Sequence, residues 1–324
     1  MERLRAIIAH CLWRHWTRKF GSGHTVTESC TVANAIAIVD LMPLRRCGLL
    51  FVFLLYSSHC DATDSQTAEQ IRSHKKGLAV WWVGNAGWLI KADDVLIGID
   101  LDLSRDEKIA APVIAAKDLA GQLDVAFVTH HHGDHCNIPT LKDLAEGGRT
   151  SFVLPRPCLN SVTQLGIPKD RIIVPDPGHP FQIKGFNVEP IHAIHGNQDF
   201  TVLTREPDFI DSIRYNCGYV LSILGIRILH PGDSVLTEEH LGLKNIDVLF
   251  VSPTVHNMYV DRSMILINTL QPAYIFPQHF GTFVQTDENA FWTRGYPDEL
   301  KLRLSRDLQN RYHKLSQGEM FRIK

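Results

Sequence analysis

Residues 127–137 read FVTHHHGDHCN, and this stretch sets the expectation for both the fold and the chemistry of the chain. Four histidines and one aspartate lie within six positions, from His130 to His135, directly after an apolar run. That run, LDVAFVTH, has the composition of a strand buried on both faces. Imidazole nitrogens and carboxylate oxygens are ligands that zinc, iron and manganese accept. The stretch therefore predicts a metal site where a buried strand ends; the alternative interpretation is a solvated histidine cluster in a loop.

The spacing H-x-H-x-D-H suits two neighbouring ions. In an extended segment alternate side chains point the same way, so His130 and His132 can bind one ion. Gly133 permits a sharp turn, after which Asp134 and His135 can face a second ion. One cluster does not complete two sites, so further ligands must come from distant loops.

Three other segments carry potential ligands, each after a predicted strand. They are AIHGN with His195, ILHPGDS with His230 and Asp233, and IFPQHFG with His279. A single histidine or aspartate at a strand end is usually a cap or a surface residue. The recurrence of this arrangement in three segments favours convergence on one metal site.

Composition excludes some classes of function. The 324 residues are 44% hydrophobic and 21% charged, with a formal net charge of −2. This is an ordinary globular composition, and it gives no support for a general nucleic-acid binder, which needs a basic face. The seven cysteines form no CxxC or CxxxC pair. Neither a zinc knuckle nor a dense disulfide framework is therefore expected.

The N-terminal segment has the pattern of a secretory signal peptide. From Met42 the chain has a basic start, an apolar run too short to span a bilayer, and small or polar residues before Asp61. We expect an exported, periplasmic or extracellular protein whose mature N-terminus lies near Asp61–Thr63; a buried apolar element and a cytoplasmic protein are the alternative. Residues 1–41 are interpreted as a start-site extension or a basic targeting helix. This divides the chain into an extension, 1–62, and one domain, 63–324.

Short strand patterns alternate with helical ones from Gly77 onward. Strands are predicted in both halves, with helices near 109–120, 138–148 and 262–270 and a helical tail over 298–315 with its leucines on one face. Two strand-rich halves with helices between them predict two packed sheets with helices outside, which is an α/β fold.

On these motifs the chain resembles the metallo-β-lactamase superfamily over nearly all of residues 77–324. The resemblance implies an αββα four-layer sandwich with a dinuclear metal site at the edge of the two sheets. It implies His130, His132 and His195 as ligands of the first metal, and Asp134, His135 and His279 as ligands of the second, with Asp233 bridging. Asp100 is expected to support a ligand, with Asp102 as a competing candidate and a plain turn carboxylate as the alternative.

Two histidines compete for one ligand position in VEPIHAIHGN. His192 and His195 are three positions apart, so in an extended strand they face opposite sides. His195 matches the family's Ala-x-His-Gly setting and is followed by a turn. We therefore expect His195 to be the ligand and His192 to be a core or interface histidine.

Within the superfamily, segments such as AVWWVGNAGWLIK and ILHPGDSVL resemble the ascorbate-6-phosphate lactonase group and related metal-dependent hydrolases. The G-H-T-x-G context of lactamases and glyoxalase II enzymes is replaced by IHAIHGN. That departure argues against antibiotic or thioester hydrolysis. Only 46 positions separate Asp233 from His279 (279 − 233), which leaves no room for the inserted domain of the family's RNA-processing nucleases.

The implied activity is metal-assisted hydrolysis of a lactone, ester or phosphoester by two divalent ions, with zinc expected and manganese or iron as alternatives. Asp134 would orient the nucleophile and shuttle its proton. His230 would polarise the substrate or support a ligand, its alternative being a hydrogen-bonded strand-end histidine.

We expect a small-molecule substrate, no nucleic acid and no stable membrane span, and leave a homo-oligomer open. The alternatives are a small-molecule phosphodiesterase, an iron-dependent redox protein and a non-catalytic metal-binding protein. The segments 197–216 and 254–264 are expected to border the pocket, with a plain surface loop as the alternative. In the first segment, Phe200, Arg205 and Phe209 are candidate substrate contacts.

Overall fold

Strand β1 (Leu78–Gly84) is buried along its whole length because its two faces pack into different layers. Val80 and Trp82 belong to one apolar cluster, whereas Ala79 and Trp81 belong to another. Successive side chains of a strand point to opposite faces, so this one strand already separates two layers of core.

The computed structural model describes residues 65–104, 108–196 and 214–324. The expected signal peptide and the boundary at residue 62 lie outside the described residues, so both stay predictions. The same holds for most of the segment 197–216.

Two mixed sheets form the centre of the described fold. The first has seven strands in the order β13-β1-β2-β3-β4-β5-β6 and the second has six in the order β12-β11-β10-β9-β8-β7. The remaining strands of the first sheet are β2 (Gly87–Ala92), β3 (Val95–Ile99), β4 (Val125–Phe127), β5 (Ser151–Val153), β6 (Ile172–Ile173) and β13 (Met320–Ile323). Those of the second sheet are β7 (Phe181–Ile183), β8 (Phe186–His192), β9 (Cys217–Ile223), β10 (Ile226–His230), β11 (Val248–Val251) and β12 (Tyr274–Pro277).

Helices cover the outer face of each sheet. They are α1 (Gln66–Ser73), α2 (Ala116–Leu119), α3 (Ile138–Glu146), α4 (Leu159–Val162), α5 (Glu238–Gly242), α6 (Tyr259–Leu270), α7 (Ala290–Thr293), α8 (Pro297–Arg303) and α9 (Arg306–Asn310). Short 3₁₀ turns occupy Arg156–Cys158, Thr163–Leu165 and Lys169–Arg171.

Three apolar clusters fill the spaces between these layers. The central cluster joins the inner faces of the two sheets, where Trp88 of β2 stacks on Phe250 of β11 with ring centroids 4.2 Å apart. A second cluster packs β1 against α1 and α3, and a third packs β11 against α6 and α8. The order helix, sheet, sheet, helix confirms the expected αββα sandwich.

The direction of the strands brings the loops that follow several of them to one edge of the sheets. Strands β3 and β4 are parallel, as are β10, β11 and β12. Strands β8 and β10 both pair antiparallel with β9, so β8 runs the same way as β10. The carboxyl ends of these four strands of the second sheet therefore lie along one edge, where side chains from distant parts of the chain can meet.

Three secondary-structure predictions needed correction. The helix expected near 109–120 is only the short α2, Ala116–Leu119. The tail forms two helices because the Ser305 side chain accepts a hydrogen bond from the Leu308 N–H and starts α9 anew. Leu302 is 78% exposed, so the leucines of the tail do not share one buried face. Strand β13, which adds to the edge of the first sheet beside β1, was not predicted.

None of the helices in the described part of the chain has both the length and the apolar content needed to span a bilayer.

Candidate metal centre

Six strand ends deliver histidine and aspartate side chains to a common edge. Asp100 follows β3 and the histidine-rich stretch follows β4 in the first sheet, whereas the second sheet supplies His195 after β8, Asp233 after β10, His256 after β11 and His279 after β12. Among the described residues, four groups of three such side chains have ligand atoms within 4.8 Å of one another.

The first group contains His130, His132 and His195. Nε2 of His130 lies 3.1 Å from Nδ1 of His132, and the ring centroids of His132 and His195 are 4.6 Å apart. Three imidazoles thus surround one position, as the resemblance implied for a first metal.

The second group contains Asp134, His135 and His279. Oδ2 of Asp134 lies 3.4 Å from Nε2 of His135 and 3.6 Å from Nε2 of His279. The Asn85 side chain, in the turn between β1 and β2, donates a hydrogen bond to the same oxygen at 2.9 Å and fixes the carboxylate.

Asp233 lies between the two groups. Its Oδ2 is 3.2 Å from Nε2 of His279, 3.4 Å from Nε2 of His135 and 3.7 Å from Nε2 of His195. It therefore stands where the resemblance places a bridging carboxylate.

Partners behind the ligands orient two of the imidazoles. Nδ1 of His135 lies 2.8 Å from Oδ2 of Asp100, so the ring presents Nε2 to the centre. Nδ1 of His130 lies 3.1 Å from the hydroxyl of Thr129, which in turn donates to Asp100 at 2.7 Å. Metal-binding histidines characteristically use their other nitrogen in this way. Asp102 instead accepts a hydrogen bond from Asn137 at 2.9 Å and pairs with Lys108. Of the two candidates, Asp100 is therefore the carboxylate that contacts a histidine of the centre.

Several buried polar atoms at the centre have no hydrogen-bond partner among the described residues: Nε2 of His135, Nδ1 and Nε2 of His279, and Oδ1 of Asp233. A buried polar group without a partner costs about 1–3 kcal/mol. Nε2 of His135 and Nε2 of His279 both lie 3.2–3.6 Å from oxygens of Asp134 and Asp233, a spacing that suits ligands of a divalent ion, so the residues present fit a metal centre.

The electrostatics of the centre favour the binding of a cation between neutral imidazoles and ionised carboxylates. Burial lowers the pKa of His195 to about 3, and burial together with the charges of His135 and His132 lowers the pKa of His130 well below its usual value. Burial would raise the pKa of Asp233, but the charges of His279 and His135 hold that pKa well below its usual range. Burial would likewise lower the pKa of His135, yet Asp233, Asp134 and Asp100 raise it well above its usual value. The carboxylates thus stay ionised and attract a cation.

The backbone is strained at two points of the centre. His279 and Asn85 have φ angles of 62° and 50°, a region that non-glycine residues rarely adopt. The His279 N–H donates to the Asn85 carbonyl at 2.8 Å, so the two strained residues hold each other. Strain of this kind is concentrated at functional sites.

His230 lies outside the cavity. It is fully buried, its Nε2 lies 3.0 Å from the Ala86 carbonyl oxygen, and its Nδ1 accepts from the Gly232 N–H at 3.2 Å. Burial lowers its pKa, which favours the neutral ring that these two contacts need. Both nitrogens are engaged, so the geometry favours the hydrogen-bonded strand-end histidine over the predicted catalytic role.

His192 is separate from the centre. It ends β8, and its Nδ1 lies 2.9 Å from Oε2 of Glu239 with 46% of the side chain exposed. The described fold leaves His192 at the surface, so the expected core role is wrong, whereas the role of an interface histidine stays a prediction. His195, three residues later and beyond the strand, is the histidine that the structure places in the metal-binding group.

Sequence reasoning missed His256. Its Nε2 lies 2.9 Å from Oδ2 of Asp233, and it forms a group with His195 and Asp233. It lies in the segment 254–264, which was expected to border the site. The available signal was its position after the apolar strand in NIDVLFVSP, the same signal that identified the other ligands.

A cavity of about 260 Å³ opens onto the centre. Its described lining comprises His132, Asp134, His195, Gly196, Asp233, His256, His279, Phe291 and Trp292. The two aromatic residues belong to α7 and form the apolar wall. The predicted substrate contacts Phe200, Arg205 and Phe209 lie outside the described residues.

Comparisons with known proteins agree with this fold and centre. The family described as "Beta-lactamase superfamily domain" matches residues 79–279. A UPF0173 metal-dependent hydrolase from Roseiflexus sp. (strain RS-1) is 26% identical over 184 residues, which cover 55% of this chain and 70% of that protein. A probable L-ascorbate-6-phosphate lactonase from Escherichia fergusonii is 26% identical over 121 residues, covering 35% of this chain and only 34% of the lactonase.

A solved structure supports the fold. Igni18, described as a novel metallo hydrolase from the archaeon Ignicoccus hospitalis KIN4/I, superposes with a TM-score of 0.58 at 19% identity. The superposition covers 76% of this chain and 99% of Igni18.

Proposed function

The chain belongs to the metallo-β-lactamase superfamily, and from this premise we propose that it is a hydrolase that uses two divalent metal ions to cleave a small lactone or carboxyl ester. The observation that carries the proposal is the convergence of buried histidine Nε2 atoms on the oxygens of Asp134 and Asp233. The names of the matched relatives, a metal-dependent hydrolase and a probable lactonase, support the same class.

The residues present divide into two metal positions. His130, His132 and His195 would hold the first ion, whereas Asp134, His135 and His279 would hold the second, with Asp233 between them. A donor set this rich in imidazole suits zinc or iron better than manganese, which prefers carboxylate and water. When bound, two such ions lower the pKa of water towards neutrality and stabilise negative charge on the attacked centre.

Asp134 would position the attacking water and accept its proton. Its carboxylate is one of the cavity-lining groups, and the Asn85 amide holds its orientation. Since Asn85 engages Oδ2 with 1% of its own surface exposed, the carboxylate is presented in one fixed direction. A general base must hold such a direction relative to the proton that it takes.

The cavity supports a small and uncharged substrate. The described residues that line it include no lysine or arginine, the side chains that usually bind a phosphate. Phe291 and Trp292 offer an apolar wall instead. This composition favours a lactone or carboxyl ester over a phosphodiester as the bond that is cleaved.

The proposal is tested with the full chain, freed of metal and reloaded with zinc, at a metal content measured by mass spectrometry. A panel of lactones, carboxyl esters and phosphodiesters is assayed with the wild type and with D233N and H192A. We expect two equivalents of metal, hydrolysis of a lactone or ester, loss of activity in D233N and retention in H192A, whose side chain pairs with Glu239 away from the centre.

Each contrary result would point to a different conclusion. A metal content of one equivalent or less, with no hydrolysis of any substrate, would refute the proposal. Hydrolysis of phosphodiesters alone would favour the phosphodiesterase alternative. A tightly bound iron centre with visible absorption and no hydrolysis would favour the redox alternative.

A further inference from the structure

His256 is the one histidine of the centre that has no place in the family ligand set implied by the sequence. It follows β11 and is 4% exposed. Its ring centroid lies 5.3 Å from that of His195 and 5.2 Å from that of His279. It is therefore inside the ring of ligands and lines the same cavity.

The ring of His256 is held by the backbone of α7. Its Nδ1 lies 3.3 Å from the carbonyl oxygen of Phe291, and its own N–H donates to the same oxygen at 3.4 Å. A carbonyl oxygen only accepts hydrogen bonds, so this contact assigns the N–H of the neutral ring to Nδ1. Nε2 then presents a lone pair to the centre, which is the form of histidine that binds a metal.

That lone pair faces an anion. Nε2 of His256 is 2.9 Å from Oδ2 of Asp233, which makes it the nearest of four Nε2 atoms around that oxygen; those of His279, His135 and His195 follow at 3.2, 3.4 and 3.7 Å. Two acceptor atoms this close repel each other unless a proton on Nε2 or a metal ion bound by both atoms lies between them. Ligands of one ion with bonds of about 2.0–2.2 Å lie roughly 3 Å apart, so the observed spacing suits a shared ion.

A glycine allows the His195 and His256 loops to approach this closely. A Cβ added at Gly196 would lie 1.8 Å from the His256 carbonyl oxygen and 2.9 Å from Val235. Only glycine fits between these loops. The chain thus brings His256 to the centre through a specific backbone contact.

We propose that His256 is an additional metal ligand, which binds through Nε2 the ion that His195 and Asp233 also hold. This inference rests on the proposed metal-dependent function and adds a fourth imidazole to the first metal position. It makes that position richer in nitrogen than the family ligand set alone, which strengthens the preference for zinc, cobalt or iron over manganese.

The test compares H256Q with the matched control H192Q in the full chain loaded with Co²⁺. Glutamine reproduces the reach of Nε2 and can still donate a hydrogen bond to Asp233, but it does not replace imidazole as a ligand. We expect the wild type to bind two equivalents of Co²⁺. In H256Q we expect the Kd of one equivalent to rise more than about 100-fold, beyond the usual effect of an outer partner. At saturating Co²⁺ the visible absorption bands of H256Q should shift. H192Q should match the wild type in both its Kd for Co²⁺ and its absorption spectrum.

The spectrum decides between a ligand and an orienting role. Absorption bands of saturated H256Q identical to those of the wild type would overturn the assignment, whatever the change in affinity, because His256 would then only orient Asp233. If H256Q does not fold, a structure of the zinc-loaded wild type with anomalous scattering replaces it. Zinc within about 2.2 Å of Nε2 supports the proposal, and a separation beyond bonding distance overturns it. A wild type that binds no metal would instead refute the proposed function.

Discussion

Oδ2 of Asp100 lies 2.8 Å from Nδ1 of His135, with both side chains fully buried. The same carboxylate accepts hydrogen bonds from the Thr129 N–H and hydroxyl at 2.8 and 2.7 Å. Asp100 itself adopts a φ of 47°. One buried carboxylate therefore fixes both the turn that begins the histidine-rich stretch and the tautomer of its last histidine.

The substitution D100N should weaken the second metal position. An amide nitrogen in place of Oδ2 donates to Nδ1 of His135, which moves the ring proton to Nε2, the nitrogen that faces Asp134 and Asp233. Loss of such an outer partner typically lowers metal affinity 10–100-fold. We expect this loss for one of two bound zinc ions, measured by competition with a chromophoric chelator.

D102N is the matched control for this prediction. Asp102 accepts from Asn137 at the start of α3 and pairs with Lys108, so its loss should lower the free energy of unfolding without changing zinc affinity more than a few-fold. Strong loss of zinc in D102N together with normal binding in D100N would show that the two carboxylates have the opposite roles.

His195 and His192 give a second pair of substitutions. H195A should lose metal at the first position and nearly all activity, because it removes one of the imidazoles that surround that position. H192A should keep two metals, because it removes only an exposed contact with Glu239. Metal content and activity are measured on the same samples. Full metal in H195A with a depleted site in H192A would contradict the assignment.

Much of the centre could be predicted because metal chemistry leaves a local pattern. His130, His132, Asp134 and His135 lie in one short stretch, and His195, Asp233 and His279 each follow an apolar strand. The structure brings all seven together. Strand direction explains this result, since strands that run the same way in a sheet end at the same edge.

Other features depend on contacts between distant segments, which no local pattern records. His256 gains its role from Asp233, 23 positions away, and from the Phe291 carbonyl, 35 positions away. His230 follows a strand like the ligands, but the Ala86 carbonyl, 144 positions away, engages its ring. The periodicity of the tail predicted one helix, whereas capping by Ser305 divides it.

Trp88 links the core between the sheets to the metal centre. Its indole N–H donates to Oε1 of Gln278 at 2.7 Å, and Gln278 directly precedes His279. W88F should leave that buried oxygen without a donor, at a cost of about 1–3 kcal/mol in the free energy of unfolding. Denaturant unfolding of the metal-free protein measures the loss, and zinc affinity at the second position should fall with it.

W81F provides the comparison for this effect. Trp81, on β1, faces the opposite side of the first sheet from Trp88. It donates to Gln70, a residue that is only partly buried, so water can replace the lost donor. We expect a smaller loss of stability and unchanged zinc affinity. Equal losses of stability and of zinc affinity in the two variants would mean that the hydrogen bond to Gln278 contributes no more than the one to Gln70.

His240 should make the stability of the metal-free protein depend on pH. It is buried in α5, its Nδ1 lies 2.6 Å from the Thr237 hydroxyl, and its Nε2 has no hydrogen-bond partner among the described residues. Burial lowers its pKa to about 4, against an ordinary value of 6.5. Between these two values the unfolded chain binds more protons than the folded chain. The stabilising contribution of neutral His240 is therefore present above about pH 6.5 and is lost as the pH falls towards 4.

The variant H240N isolates this contribution, since an amide oxygen can replace Nδ1 as the acceptor for Thr237 but does not titrate. The difference in the free energy of unfolding between wild type and H240N should shrink from pH 7 to pH 4. A pKa shift of this size corresponds to a change on the order of 3 kcal/mol. Other buried histidines titrate in both proteins, so their effects cancel in the difference. Urea unfolding of metal-free protein at pH 7, 5.5 and 4 provides the measurement. A difference that stays constant over this range would show that His240 gains no stability from remaining neutral.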